Sequence, residues 1–175
     1  DRGHPVTDTM MCEPVSYPGA RPGEPYRPVD FGSRPYHYAP LNVRQAVAIS
    51  DNVIATRWAQ EVGPATIADY AERLGIKSPL QHNIPLALGA SEVTPLEMTV
   101  AAATLASGGI RPEPIAVLKL LDTRGHVVEE NRPLLTNALS PETSYVLTSV
   151  LRSVLGPWGT GSGLERILGG RPAAG

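Results

Sequence analysis

The chain has 175 residues, 42% of them hydrophobic, and a formal net charge of -2 at pH 7. That length holds one domain or a large part of one, with room for a sizeable core. The near-neutral balance gives no electrostatic case for nucleic acid or an anionic membrane surface. No run reaches the roughly 18 apolar residues of a membrane span, and Cys12, the only cysteine, excludes an intrachain disulfide. Residue 1 is Asp rather than Met and no signal peptide is visible, so the chain is expected to be an internal piece of something longer.

Residues 1–40 are rich in Pro, Gly, Tyr and Arg and carry two Pro-Gly turn signals, at Pro18-Gly19 and Pro22-Gly23. They read as an irregular lead-in with a short extended piece at residues 9–12. Tyr17, Tyr26, Tyr36, Tyr38 and Phe31 favour a segment that lies over a folded body, because disordered tracts are poor in aromatics. At Asn42 the pattern turns helical. Asn42 with Gln45 resembles a capping box, and Val43, Ala46 and Val47 form an apolar face. Ile54, Trp58 and Val62 then recur at steps of four, Gly63-Pro64 closes that helix and opens another, and Ile67, Tyr70, Ala71 and Leu74 run to Gly75.

Residues 76–93 read as a loop or short elements. Thr94-Pro95-Leu96-Glu97 is a strong helix start. The Ala-rich helix that it opens is apolar nearly all round and is expected to be buried centrally. Gly108-Gly109 ends it. Residues 115–121 read as a strand, Asp122-Thr123-Arg124-Gly125 as a turn, and His126-Val127-Val128 as the returning hairpin arm. Ser140-Pro141 opens a last helix with Val146, Leu147, Val150, Leu151, Val154 and Leu155 on one face, and residues 156–175, with seven glycines, form a loop. The predicted class is α/β (α+β), mostly helical, with a short antiparallel hairpin and an incomplete sheet.

No metal site and no cofactor are predicted. His4, His37, His82 and His126 lack the i, i+4 pairing of a zinc helix and read as surface or structural histidines. Neither the dinucleotide fingerprint nor the Walker pattern is present, and Gly159-Thr160-Gly161-Ser162-Gly163 lacks the strand and helix a phosphate loop needs. Glu129-Glu130 reads as a pair of solvated turn residues. Ser50-Asp51-Asn52 remains. These residue types are favoured helix caps, and a helix follows at once. They also place a hydroxyl beside a carboxamide, which is able to relay a proton and hold a peptide amide if a nucleophile, a base and an anion anchor lie nearby.

The surroundings of the triplet resemble a known family. A Ser-Asp-Asn motif accompanies Ser-x-x-Lys and Lys-Thr-Gly in β-lactamases and penicillin-binding proteins. The run Tyr38-Ala39-Pro40-Leu41-Asn42-Val43-Arg44-Gln45-Ala46-Val47-Ala48-Ile49-Ser50-Asp51-Asn52-Val53 resembles the transpeptidase domain of class A, bifunctional penicillin-binding proteins. So does Leu86-Ala87-Leu88-Gly89-Ala90-Ser91-Glu92-Val93-Thr94-Pro95-Leu96-Glu97-Met98, and the Ala-rich helix, hairpin and Gly159-Thr160-Gly161 follow in the family's order. The resemblance implies the serine β-lactamase/D,D-transpeptidase-like fold. It implies peptidoglycan stem peptides ending in D-Ala-D-Ala, and β-lactams, as binding partners. Ser50 would pass a proton to the leaving or entering nitrogen, and Asn52 would hold the acyl-side amide and position the catalytic lysine. Asp51 fills the variable position and receives no role. An extracytoplasmic location, membrane anchoring through parts outside this chain, and an earlier glycosyltransferase domain are further implications of the family.

Two motifs of the three are missing. No Ser precedes Lys77 or Lys119 by three positions, and there is no Lys-Thr-Gly. The expectation is an excerpt, residues 1–175 of a transpeptidase domain, that is inactive alone within a parent that is an enzyme. It divides into a lead-in (1–40), a helical part with the motif (42–109), a hairpin (114–130), a helix (140–156) and a loop (157–175) leading to a Lys-Thr-Gly strand. The alternatives are a D,D-carboxypeptidase or serine β-lactamase of the same fold, and a non-catalytic β-lactam-sensing or binding module.

Overall fold

Asn42 does what its spacing predicts. Its side chain accepts the Gln45 N–H at 2.9 Å, and the Gln45 side chain accepts the Asn42 N–H at 3.0 Å, a reciprocal capping box. In the computed structural model, which describes residues 3–19 and 23–175, this box opens helix α1 (Val43–Ile49). Helices α2 (Asn52–Val62) and α3 (Pro64–Leu74) follow directly, with Gly63 at the junction and Pro64 at the first turn of α3. A 3-10 turn at Ile84–Leu88 leads to α4 (Pro95–Ala106), α5 (Pro141–Arg152) and the short α6 (Glu165–Leu168). Thr94 and Glu97 form a second capping box on α4, and Ser140 caps α5 by accepting the Thr143 N–H at 3.2 Å.

Among the described residues the strands are short and pair in twos, all antiparallel. β1 (Thr9–Met11) pairs with β2 (Pro40–Asn42), Thr9 opposite Asn42. β3 (Ile110–Pro112) pairs with β6 (Leu135–Asn137), and β4 (Lys119–Leu121) with β5 (Val127–Glu130). The β4–β5 turn is the predicted one. Asp122 Oδ1 accepts the N–H groups of Arg124 and His126, each at 2.8 Å, and Gly125 takes φ 83°. The predicted strand shortens from 115–121 to its last three residues, and α6 interrupts the predicted terminal loop.

The core sits between the lead-in and α1–α2. Val53, Ile54, Ala46 and Cys12 are buried together, with Met10, Val15, Tyr36, Leu41 and Trp58 packed around them. A second cluster joins Tyr17, Ala59 and Ile84. Burying side chains the size of Val53 and Ile54 contributes about 1.5–3 kcal/mol each. The lead-in is thus a cover over the helices, as its aromatics indicate. Tyr17 and Tyr26 stack with ring centroids 6.4 Å apart, although Phe31 and Tyr38 face solvent.

One expectation fails. α4 is not central: it packs against α3, α5 and β3 on one side, burying Glu97, Val100 and Thr104, while Leu96 and Met98 are exposed. The apolar stripe of α5 is partly covered: Val150 is buried, and Val146 and Leu147 are exposed. Small and polar residues make the real contacts instead: Ser144 is buried and donates to the Leu105 carbonyl of α4 at 3.1 Å. Among the described residues, no helix is long and apolar enough to cross a membrane.

Candidate active site

The Ser50-Asp51-Asn52 triplet ends one helix and starts the next within three residues. Ser50 adopts φ 58°, ψ 49°, the left-handed region. The Asp51 N–H reaches back to Ala46 O at 2.9 Å and the Ser50 N–H to Val47 O at 3.2 Å. This double reach is a Schellman closure, a position usually held by glycine. Asp51 then caps α2: its Oδ1 accepts the Ile54 N–H at 2.7 Å. Asn52 is the first residue of α2. Its N–H donates to Asp30 Oδ1 at 2.8 Å and its Nδ2 to the Val29 carbonyl at 2.9 Å. The capping reading therefore holds, with the cap at Asp51 and a serine in a glycine-like position before it.

This arrangement sorts the three side chains. Asp51 points inward and is buried, Ser50 is exposed, and Asn52 is half-buried with its amide nitrogen committed to Val29. Its amide oxygen remains as an acceptor. Beside them runs a groove of about 460 Å³ lined mainly by apolar side chains, among them Val43, Val47, Ile54, Trp58 and Leu88. A largely apolar concavity with a few convergent polar groups is the usual form of a small-molecule or peptide site.

Asp51, given no role by its sequence position, has a structural one. Its Oδ2 lies 3.0 Å from His37 Nδ1, which is also 3.2 Å from Asp30 Oδ2. Cys12 Sγ lies 3.2 Å from Asp30 Oδ2 and 3.5 Å from His37 Nδ1. Burial pushes the Cys12 thiol up to about 12; the His37 N–H donating to the sulfur opposes this, and the Asp51 and Asp30 carboxylates add to it. His4 and His126 have partners elsewhere: His4 faces Asp8, and His126 faces Asp122 in the hairpin turn. Nothing local in sequence signals the cluster, because its members, at positions 12, 30, 37 and 51, are spread over 40 residues of the chain.

Comparison with known proteins gives this geometry a family. The penicillin binding protein transpeptidase domain matches residues 7–174. Penicillin-binding protein 2D of Bacillus subtilis (strain 168) is 33% identical over 84% of this chain and 21% of its own length. Penicillin-binding protein 1A from Haemophilus influenzae superposes with a TM-score of 0.79 at 24% identity, covering 96% of this chain and 30% of that one. The imipenem acyl-enzyme complex of penicillin-binding protein A from M. tuberculosis superposes with a TM-score of 0.69 at 20% identity, covering 86% and 39%. Fold and motif together define a piece of the serine β-lactamase-like class, α+β with its sheet incomplete. The chain belongs to the penicillin-binding protein transpeptidase domain family, with relatives among the class A proteins 1A and 2D. It spans about a fifth of the length of the curated relatives it matches.

Proposed function

We propose that this chain supplies the middle of a D,D-transpeptidase site that cross-links peptidoglycan stem peptides on the extracytoplasmic side of a bacterial membrane. The observation that carries the reading is the Ser50–Asn52 junction. A hydroxyl and a carboxamide are presented at the end of an apolar groove from a turn held by both flanking helices.

In this reading a serine of Ser-x-x-Lys, which the 175 residues do not contain, attacks the penultimate D-Ala carbonyl of a stem peptide. The C–N bond to the terminal D-Ala breaks, and Ser50 passes a proton to the departing nitrogen. An amine of a second stem peptide then attacks the acyl-enzyme, forms the new amide and returns the serine hydroxyl. The free Asn52 oxygen accepts from the lysine ammonium, while its Nδ2 is reoriented toward, or shared with, the acyl-side amide. A β-lactam acylates the same serine and stops there. The family, the motif and the groove support this; water in place of the acceptor amine would make the protein a carboxypeptidase instead.

The test is acylation of the longer protein by a fluorescent penicillin. Ser50→Ala and Asn52→Ala should each slow covalent labelling by about 10²-fold or more, the usual scale for losing a proton-transfer or positioning group. The 175-residue chain by itself should take up no label. A stoichiometric adduct on the chain alone would overturn the assignment of the nucleophile outside it.

A further inference from the structure

Four side chains from separate parts of the chain meet at one point behind the Ser50–Asn52 junction. Cys12 follows β1, Asp30 and His37 come from the lead-in, and Asp51 caps α2. Their donor atoms all lie within 4.8 Å of one another. His37 Nδ1 is 3.0 Å from Asp51 Oδ2 and 3.2 Å from Asp30 Oδ2; Cys12 Sγ is 3.2 Å from Asp30 Oδ2 and 3.5 Å from His37 Nδ1. A tetrahedral zinc ion, with bonds of about 2.0 Å to N and O and about 2.3 Å to S, separates its ligand atoms by roughly 3.3 Å for N/O pairs and roughly 3.5 Å for pairs with sulfur. These four edges are within a few tenths of an ångström of that tetrahedron, and the other two, Cys12–Asp51 and Asp30–Asp51, are at most 4.8 Å.

The second layer aims these atoms. Each carboxylate commits its Oδ1 to the start of α2: Asp30 accepts the N–H groups of Asn52 at 2.8 Å and Val53 at 3.4 Å, and Asp51 accepts that of Ile54 at 2.7 Å. Both Oδ2 atoms are thereby turned to the centre. The His37 backbone N–H donates to Cys12 Sγ at 3.2 Å, a contact that suits a thiolate. Such outer hydrogen bonds fix ligand orientation in metal sites. The side chains of Asp51 and Asp30 are 0% and 5% exposed, Cys12 is buried, and His37, at 35%, leaves a path to solvent. Protons alone bridge this centre thinly, since Nδ1 and the thiol carry one hydrogen each at most. A thiolate, two carboxylates and a neutral imidazole carry 3−. A divalent cation reduces that to 1− beside the positive end of the α2 dipole. One sulfur, one nitrogen and two oxygens suit zinc rather than magnesium or calcium, and four protein ligands mark a structural ion rather than a catalytic one.

We propose that Cys12, Asp30, His37 and Asp51 form a structural zinc site that ties the lead-in to the start of α2 and so holds Ser50 and Asn52 in place. The proposal does not need the transpeptidase reading, because binding and stability report on it without any activity.

The protein, stripped with chelator and dialysed, is titrated with zinc chloride or cobalt chloride alone. The expected result is about one zinc per chain. Cobalt should give tetrahedral visible bands with a thiolate charge-transfer band, both abolished by zinc, and zinc should raise the thermal midpoint. His37→Gln, at a partly exposed position, should weaken zinc binding about tenfold or more while the far-ultraviolet circular dichroism is kept. Cys12→Ser should remove the charge-transfer band, and His126→Gln should change neither. Folded protein that takes up no stoichiometric zinc overturns the proposal. So does an octahedral cobalt spectrum lacking the charge-transfer band, or zinc uptake unaltered in His37→Gln. Should Cys12→Ser fail to fold, the wild-type cobalt spectrum and His37→Gln decide. Zinc uptake without penicillin labelling of the longer protein would leave this site standing and remove the proposed function.

Discussion

Asp51 is the position where one side chain holds both a helix cap and a contact with an imidazole. Its Oδ1 caps α2 on Ile54 N–H, and its Oδ2 faces His37. Losing a side-chain cap costs about 0.5–2 kcal/mol. The His37 contact is one-third exposed on the histidine side, so it is discounted for solvent to about 0.5–1 kcal/mol. Asp51→Ala should therefore destabilise the metal-free protein by about 1–3 kcal/mol. Asp51→Asn keeps a good cap and should lose only the carboxylate–imidazole contact, about 0.5–1 kcal/mol. At this chain length each kcal/mol moves the thermal midpoint by about 2–4 °C. Urea unfolding followed by circular dichroism, with chelator present, reads both values. The reasoning is refuted if Asp51→Asn loses as much as Asp51→Ala, or if both stay within about 0.5 kcal/mol of the starting protein, as ordinary surface changes do.

Ser50 sits at φ 58°, where a side chain costs roughly 1 kcal/mol relative to glycine. Ser50→Gly should accordingly raise stability by up to about that amount while slowing acylation of the longer protein; a loss of stability in urea would show that the hydroxyl holds the turn. Glu97 titrates at about 2 instead of 4.5, lowered first by the Thr94 N–H and then by the Ser78 hydroxyl, with burial opposing and the Lys77 N–H assisting. Because the folded value lies below the unfolded one, this contribution is complete above pH 4.5 and fades as pH falls toward 2. Glu97→Gln should flatten the stability profile in that window, and an unchanged acid slope would contradict the assignment. Gly109 has φ 95°, and a Cβ there would lie 2.5 Å from the Leu139 carbonyl oxygen. Gly109→Ala should cost about 2 kcal/mol or more in a denaturant titration, and a neutral result would mean that the β3–β6 junction shifts freely.

Local chemistry was the legible part of this fold. The boxes at Asn42–Gln45 and Thr94–Glu97, the cap at Ser140 and the turn at Asp122–Gly125 each complete their bonds within five residues, so spacing alone reveals them. What lay hidden depends on partners distant in sequence. β2, β3 and β6 are three residues long, too short to show an alternating pattern, and each is defined by a strand elsewhere. The misjudged placement of α4 has the same origin. Periodicity says which residues are apolar but not which neighbour arrives, and polar Thr104 and Ser144 are buried alongside Val100 and Val150.

The Ser50-Asp51-Asn52 triplet shows the same division. Its residue types announced a cap, and the surrounding sequence announced a family; neither revealed that the lead-in sets its geometry. Val29 and Asp30 hold Asn52 by its amide and its backbone, while His37 and Cys12 close on the carboxylates behind it. A segment rich in proline, glycine and tyrosine, with no periodicity of its own, thus holds the backbone and the amide of Asn52. Loosening the lead-in should consequently disturb Ser50 and Asn52 even though it removes no atom of the motif. The Asp30→Ala change makes this concrete. It leaves the Asn52 and Val53 N–H groups without their acceptor at the first turn of α2, groups that helix geometry alone does not satisfy. Penicillin labelling of the longer protein should fall with Asp30→Ala, and labelling at the unaltered rate in a folded variant would mean that α1 and α2 hold the motif without the lead-in.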